Sequence, residues 1–193
     1  HYNWVQDNIK KVDQASNGRI GYIYIPDMGP EGLNEFARYF YPQLDKEGLI
    51  IDDRANGGGN VSPMILERLS REPYRLTMGR GTSHVGTVPD AVQVGPKVCL
   101  INKYSASDGD LFPWGFRALG LGKLIGTRTW GGIVGISGSL PYMDGTDIRV
   151  PFFTSYDPKT GKWIIENHGV DPDILIDNDP VKEWNGEDQQ LNR

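Results

Sequence analysis

A serine between a predicted strand and a predicted helix is the residue best placed for chemistry in this sequence. Ser107 lies in the run 102–110 (NKYSASDGD), after the apolar segment 98–101 and before the helix-like segment 111–119. The first turn of a helix offers unpaired backbone N–H groups and the positive end of the helix dipole, which suit a developing oxyanion. A serine at this position can equally serve as a simple helix cap. The local pattern leaves both roles open.

Two loops rich in glycine also follow predicted strands. Residues 54–60 (RANGGGN) follow the strand-like segment 48–53, and residues 126–132 (GTRTWGG) follow the segment 123–126. Glycine lets the backbone approach a bound peptide closely and adopt unusual dihedral angles, although the run 56–59 also fits a merely flexible turn. Because sites in parallel sheets form outside the carboxyl ends of the strands, we expect these loops and the serine turn to share one crevice.

The elements that must position these loops alternate between strand and helix. The spacing of apolar residues predicts helices over 4–12, 31–44, 62–69 and 111–119, and strands over 20–25, 48–53, 98–101 and 123–126. This alternation is typical of an α/β core with parallel strands.

Less regular segments separate and follow these elements. Residues 71–95 are rich in Gly, Pro, Ser and Thr, which predicts an irregular surface loop. Turn signals at 144–145, between 140–142 and 148–150, and at 157–161, between 152–153 and 163–165, predict β-hairpins. The acidic, polar tail after Asp177 is expected to pack weakly.

Composition limits the class of protein. The 193 residues, 38% hydrophobic and 23% charged, are enough for one folded domain with a sizeable core. The net charge of −5 offers no basic field for nucleic acid, and no apolar run approaches the roughly 20 residues of a membrane span. The first residues form no signal peptide and lack an initiator Met, so we expect a piece of a longer protein.

Cysteine and histidine usage argues against a metal site. The single cysteine, Cys99, lies inside an apolar strand and is expected to be a buried structural thiol. Three histidines without paired spacing make a zinc site improbable. The sequence predicts neither a metal nor a cofactor, and it leaves a cytoplasmic or a periplasmic location open.

Taken together, the motifs resemble a known family. Residues 48–59 (GLIIDDRANGGG), the serine turn, residues 126–132 and residues 166–173 (ENHGVDPD) look like the tail-specific, or carboxyl-terminal processing, serine peptidases, and most closely their tricorn branch. The N-terminal helix and the segments NGRIGYIYIPDMG and GLNEF extend the likeness to nearly the whole chain. The resemblance implies a ClpP/crotonase-like α/β core of repeated ββα units with C-terminal β-hairpins. It also implies that residues 1–193 are one catalytic subdomain of a larger protein.

The resemblance implies roles for individual residues. Ser107 becomes the nucleophile that carries the acyl group, and the N–H of Gly59 with that of Ser107 itself or of Asp108 forms the oxyanion hole. Glu166 aligns with the carboxylate that supports the catalytic histidine in tricorn enzymes, although an exposed glutamate at a strand end is the alternative. The residues expected to bind substrate are Gly58, Thr77, Gly131 and Gly132.

The sequence departs from the family at the general base. A serine hydroxyl needs a base to become a good nucleophile, and the family uses a lysine or, in tricorn enzymes, a histidine upstream of a PDZ-like domain. Of the candidates here, His1 is a boundary residue, His84 lies in the irregular loop, and His168, Lys103 and Lys123 do not match the family position. We therefore expect the base on upstream chain and little peptidase activity from residues 1–193 alone.

Other residues receive structural or specificity predictions. Tricorn enzymes carry an acidic residue that favours basic substrates in the region where this sequence has residues 73–78, and here the nearest carboxylate is Glu72, just before that segment. A preference for basic substrates is therefore not carried over, and an apolar or mixed pocket is as well supported. Asp53 and Arg54 are expected to form a structural pair, and Asp110 to face the helix dipole. Packing roles in the core or hairpins are predicted for Trp114, Trp130 and Trp163.

Three functions stay open at this stage. The first is peptide hydrolysis within a larger peptidase, acting on peptides or unfolded proteins. The second is a crotonase-type enzyme acting on acyl thioesters, which the absence of a clear carboxylate pair disfavours. The third is a non-catalytic peptide-binding or assembly module. The resemblance also implies upstream PDZ-like and propeller domains as partners, together with self-association.

Overall fold

The chain alternates strands and helices, as the apolar pattern predicts. The computed structural model describes residues 2–138 and 140–193, so His1, the expected boundary residue, lies outside the described part. In chain order the elements are α1 (Tyr2–Ser16), β1 (Ile20–Tyr24), α2 (Pro30–Phe40), β2 (Gly48–Asp52), α3 (Ser62–Leu69), β3 (Arg75–Met78), β4 (Val85–Val88), β5 (Lys97–Ile101), α4 (Asp108–Ala118), β6 (Gly122–Gly126), β7 (Gly135–Gly138), β8 (Arg149–Phe153), β9 (Ile174–Leu175) and α5 (Pro180–Trp184).

A five-stranded parallel sheet organises the fold. Its strand order is β1-β2-β5-β6-β9, and every neighbouring pair is parallel. The register places Ile23 beside Ile51 and Ile51 beside Cys99, so apolar side chains line up across the sheet. The predicted parallel α/β core is thus confirmed. Because all five strands point the same way, the loops that follow them emerge at one edge.

Two apolar clusters cover the two faces of the sheet. The larger contains side chains from the sheet and from α2, α3 and α4, including Phe40, Ile65 and Phe112. In the smaller cluster, side chains of α1 pack against Tyr22 and Tyr24 of β1. Cys99 is fully buried in the larger cluster, as expected for a structural thiol. Of the helices described, none combines the length and hydropathy needed to cross a membrane.

The segment predicted as irregular contains a hairpin. Strands β3 and β4 pair antiparallel, with Arg75 opposite Val88 and Met78 opposite Val85. All four residues of β3 are exposed. The prediction was wrong because both strands are only four residues long and lie among many Gly, Pro, Ser and Thr residues, so the short alternation of β3 (RLTM) does not stand out as a strand.

The C-terminal hairpins differ from the prediction in their strands. The turn at Asp144 is present, since the N–H of Thr146 donates to Asp144 Oδ1 at 3.0 Å. The predicted strand 148–150 overlaps β8, but its partner is β7 rather than the predicted segment 140–142. The second predicted hairpin contains one isolated bridge, between Tyr156 and Trp163.

One of the three tryptophan packing predictions fails. Trp114 packs against the main core, and the Trp163 ring lies edge-on to the Tyr156 ring across their bridge, but Trp130 is 66% exposed. Most of the tail is exposed, as expected, but Gln190 near its end is only 4% exposed. There Asp188 and Gln190 accept hydrogen bonds from Arg54.

Candidate active site

Ser107 lies between β5 and α4 in a conformation that few residues other than glycine adopt. Its φ is 58° and its ψ is −119°, a strained combination that is often found at functional sites. Ser107 occupies the N-cap position of α4, yet its side chain makes no capping hydrogen bond. The simple capping role is therefore not observed, and the half-buried hydroxyl has no hydrogen-bond partner among the described residues.

The glycine-rich loop packs directly on the serine turn. Gly58 has a φ of +93°, and a Cβ there would lie 2.7 Å from Cβ of Ser107 and 2.9 Å from the backbone N of Asp108. Gly59 has a φ of +152°, and its Cβ would overlap the carbonyl of Met28, its bridge partner. These two positions therefore require glycine.

Two backbone amides remain unpaired where these loops meet. In the described structure, the N–H groups of Gly59 and Asp108 donate no hydrogen bond. The Asp108 amide lies at the start of α4, where an unpaired N–H carries the positive end of the helix dipole. The Asp108 carboxylate points elsewhere, since its Oδ2 accepts the N–H of Ser62 at 2.9 Å at the start of α3.

Asn56 holds the two loops together, a role that the sequence analysis missed. Its Oδ1 accepts the N–H of Gly58 at 2.9 Å, and its Nδ2 donates to the carbonyl of Ile25 at 3.1 Å. Its own carbonyl accepts the N–H of Ala106 at 2.8 Å. Asn56 is fully buried. An Asn-Gly pair signals a tight turn, but nothing in that signal indicates which loop the turn will contact.

The third glycine loop also reaches the serine turn. The N–H of Gly131 donates to Oδ1 of Asp110 at 2.7 Å, in the first turn of α4. The N–H of Trp130 donates to the carbonyl of Ser105 at 3.0 Å. Gly132 lies against the Trp130 ring, where a Cβ would clash. The three loops thus converge at the carboxyl edge of the sheet.

Glu166 is not a free surface carboxylate. Its Oε2 accepts the N–H of Ile133 at 2.7 Å and the N–H of Val134 at 3.0 Å. These bonds hold the chain immediately after Gly132. Glu166 also lines a groove with Trp114 and His168.

Thr77 is the predicted site residue that the structure does not bring to the serine turn. It is exposed on β3 and is paired with Gly86 of β4. Within residues 2–138 and 140–193, no recorded hydrogen bond or ion pair connects Thr77 to the converging loops.

Arg54 pairs with Asp52 rather than with Asp53, which corrects the prediction. Its Nη2 lies 2.6 Å from Oδ2 of Asp52 and 2.8 Å from Oδ2 of Asp188. Its Nη1 donates to Oε1 of Gln190 at 3.0 Å. Burial alone would lower the pKa of Arg54, but the carboxylates of Asp52 and Asp188 raise it above its ordinary value. We call this set, Asp52, Arg54, Asp188 and Gln190, the tail clamp.

Replacing the central cation of the tail clamp should destabilise the protein strongly. Arg54→Met leaves the carboxylates of Asp52 and Asp188 buried without a cation, which costs about 3–5 kcal/mol of unfolding free energy. Arg19→Met, which breaks an exposed pair with Glu47, is the control and should cost at most about 1 kcal/mol. Urea unfolding checks both values, and equal losses would contradict the clamp.

The described residues show no general base beside Ser107. Nε2 of His168 lies 3.4 Å from Asp171, His84 is exposed, and Lys103 lies over the Tyr104 ring. Across the described ranges, no hydrogen bond links Ser107 to any histidine or lysine. No group of three or more potential metal ligands is clustered in that same part of the chain.

Comparisons with known proteins identify the family of the chain. The model of peptidase family S41 matches residues 19–176. The chain is 46% identical to the tricorn protease of Thermoplasma volcanium over 98% of this chain and 18% of that protein. It is 37% identical to tricorn protease homolog 1 of Streptomyces coelicolor, over 99% of this chain and 18% of that protein.

Solved structures show the same relationship. A crystal structure of the tricorn protease matches with a TM-score of 0.90 and 43% identity, over 98% of this chain and 18% of that one. The photosystem II D1 C-terminal processing protease, at 21% identity, shares the fold with a TM-score of 0.60 over 82% of this chain and 42% of that one. The chain therefore spans less than a fifth of the tricorn relatives' length. With a family match over most of its residues, this chain belongs to peptidase family S41 and is a serine peptidase domain.

Proposed function

We propose that this chain is the catalytic subdomain of a tricorn-type peptidase that cleaves peptide bonds through an acyl-enzyme on Ser107. One observation carries the proposal. Ser107 has a strained backbone and a hydroxyl that makes no capping hydrogen bond, and it lies where the unpaired N–H groups of Gly59 and Asp108 meet. In the proposed reaction the Ser107 hydroxyl attacks the scissile carbonyl while a base takes its proton. The two amides then bind the resulting oxyanion, the amine leaves with a proton, and water releases the acyl group.

The base in this proposal is a histidine from another part of a longer chain. This chain covers only 18% of the Thermoplasma volcanium tricorn protease, which leaves ample room for such a residue elsewhere. Glu166 is proposed to support that histidine. Its Oε2 is occupied by two backbone amides, whereas its Oε1 accepts no hydrogen bond from the described residues and can receive an imidazole N–H.

The surrounding glycines are proposed to contact substrate. Gly58, Gly131 and Gly132 border the serine turn and can let a peptide backbone approach closely. No contact supports the same role for Thr77. The proposal includes a ClpP/crotonase-like fold, peptide or unfolded-protein substrates, PDZ-like and propeller domains elsewhere in the chain, and self-association.

A fluorophosphonate probe tests the proposed nucleophile. Applied to the full-length protein that contains this chain, the probe should modify Ser107, as read by peptide mapping and mass spectrometry. Ser105 is the internal control, because its buried hydroxyl donates to the carbonyl of Asp53 at 2.8 Å and is not free to react. Modification of another serine, or of none, would refute the proposal.

A further inference from the structure

Two buried carboxyl groups beneath the serine turn have oxygen atoms without hydrogen-bond partners. Asp53 and Asp110 are both 0% exposed. Both oxygens of Asp53 and Oδ2 of Asp110 make no hydrogen bond within the described chain. An isolated buried carboxylate is so costly that such groups become neutral instead. At least one of these two carboxyl groups must therefore hold a proton.

The backbone of Asp53 is tied to the serine turn. Asp53 follows β2, and its N–H donates to the carbonyl of Leu100 at 2.9 Å. Its carbonyl accepts the Ser105 hydroxyl at 2.8 Å. Since side chains alternate along a strand, Asp53 lies on the same face as Ile51, which is the face covered by α4. Asp53 therefore lies under the N-terminal turn of α4, which carries Asp110.

The electrostatic surroundings of Asp53 are predominantly acidic. Burial first, and then the nearby carboxylates, raise the pKa of Asp53 well above its ordinary value. The cation nearest in sequence, Arg54, already pairs with Asp52 and Asp188 in the tail clamp and does not pair with Asp53. The charged and titratable groups that face Asp53 are Asp52 and Arg54 from its own segment, Asp108 and Asp110 from α4, Tyr24 from β1, and Cys99 from β5.

Asp110 is the better place for the negative charge. Its Oδ1 accepts the N–H of Gly131 at 2.7 Å, and it lies in the first turn of α4, where the helix dipole favours an anion. Burial raises the pKa of Asp110, but interactions with the Thr129 hydroxyl and with the N–H groups of Gly131 and Ser107 oppose that rise. The proton therefore belongs on Asp53 and the charge on Asp110.

We propose that Asp53 is a positioning residue that stays protonated below the charged Asp110, and that this acid pair holds the serine turn and Gly131 in the geometry of the oxyanion cradle, the site where the N–H groups of Gly59 and Asp108 meet. The inference rests on the proposed function of Ser107. When Asp53 loses its proton, both buried carboxyl groups of the pair carry a negative charge. Their repulsion then displaces the first turn of α4 and the amides around Ser107.

The pH dependence of probe labelling in the full-length protein tests this pair. For the wild type, the rate of fluorophosphonate reaction at Ser107 should fall as the pH rises through the folded pKa of Asp53 and the pair loses its proton. Asp53→Asn stays neutral and can donate, so its rate should remain within about 3-fold of the wild type below that pKa and show no such fall. Asp45→Asn, at an exposed position, should follow the wild-type profile.

The two members of the pair should respond differently to the same change. Asp110→Asn replaces the charged acceptor of the Gly131 N–H by a weaker neutral one and removes the anion at the start of α4, so labelling should fall by about 10²-fold at every pH, the cost of a small misplacement. If both residues had only a structural role, Asp53→Asn and Asp110→Asn would lower the labelling rate to a similar extent. Superimposed profiles of wild type and Asp53→Asn, or a greater loss in Asp53→Asn than in Asp110→Asn, would overturn the proposal.

Thermal unfolding separates this inference from the function of Ser107. An unfolded aspartate ionises near pH 4, whereas folded Asp53 keeps its proton, so folding takes up a proton above that pH. Wild-type stability should therefore fall as pH rises from about 4 to the folded pKa. Asp53→Asn should melt above the wild type at pH 8 and converge with it at pH 4. If the probe labels no serine, the proposed function fails. The acid pair is then judged by melting alone: equal pH dependence of melting in the wild type and Asp53→Asn rejects it, and unequal dependence supports it.

Discussion

Ser107→Ala is expected to lower kcat for peptide hydrolysis by the full-length protein by about 10⁴–10⁶-fold. Without the hydroxyl no acyl-enzyme forms, and only direct attack by water remains. That residual reaction still gains from the oxyanion amides of Gly59 and Asp108. KM should change little, because the hydroxyl makes no hydrogen bond that helps to shape the cleft.

Steady-state hydrolysis of a fluorogenic peptide measures this loss. Ser105→Ala is a matched control in the same turn, because it removes a buried hydrogen bond to the backbone of Asp53 but no nucleophile. It should cost about 0.5–1.5 kcal/mol of stability and keep kcat within about 10-fold of the wild type. Comparable losses in the two variants would show that Ser107 acts only through the shape of the turn.

Gly58→Ala is expected to reduce kcat by about 10²–10³-fold, the cost of losing one oxyanion donor. The new methyl group would lie 2.7 Å from both the carbonyl oxygen of Ala106 and Cβ of Ser107. The φ of +93° adds backbone strain. Since neither neighbour can rotate away, the loop must move and carry the Gly59 amide out of line with Asp108.

The neighbouring glycine supplies the control for this prediction. A Cβ at Gly57 would meet no atom within 4 Å, so Gly57→Ala should leave kcat within about 3-fold of the wild type and alter the melting temperature little. Comparison of kcat for Gly58→Ala, Gly57→Ala and the wild type tests the prediction. Full activity in Gly58→Ala would mean that the cradle tolerates displacement of this loop.

The sheet and the meeting of the loops could be predicted because both follow from local patterns. Apolar runs such as β2 and β5 mark buried parallel strands, and parallel strands bring their following loops to one edge. The hairpin β3–β4 was missed because its strands are only four residues long: β3 alternates polar and apolar residues (RLTM), but the run is short and all of it is exposed. Pattern methods therefore succeed best for longer runs that are buried in a sheet.

The partners of the buried charges could not be predicted, for two reasons. Alternation along an extended chain places Arg54 on the same side as Asp52 and opposite Asp53, so adjacent residues in the sequence do not pair. In addition, Asp188 reaches Arg54 from 134 residues away. Nothing in the local composition of the tail distinguishes a carboxylate that will be buried from one that stays in water.

The tail clamp has a consequence for biosynthesis. Arg54 directly precedes the loop that carries Gly58 and Gly59, and its partner Gln190 follows it by 136 residues. The ribosome synthesises the loop first, so Arg54 and Asp52 lack their partners Asp188 and Gln190 until residue 190 has emerged. The loop of a growing polypeptide therefore stays incompletely braced until Gln190 has been synthesised.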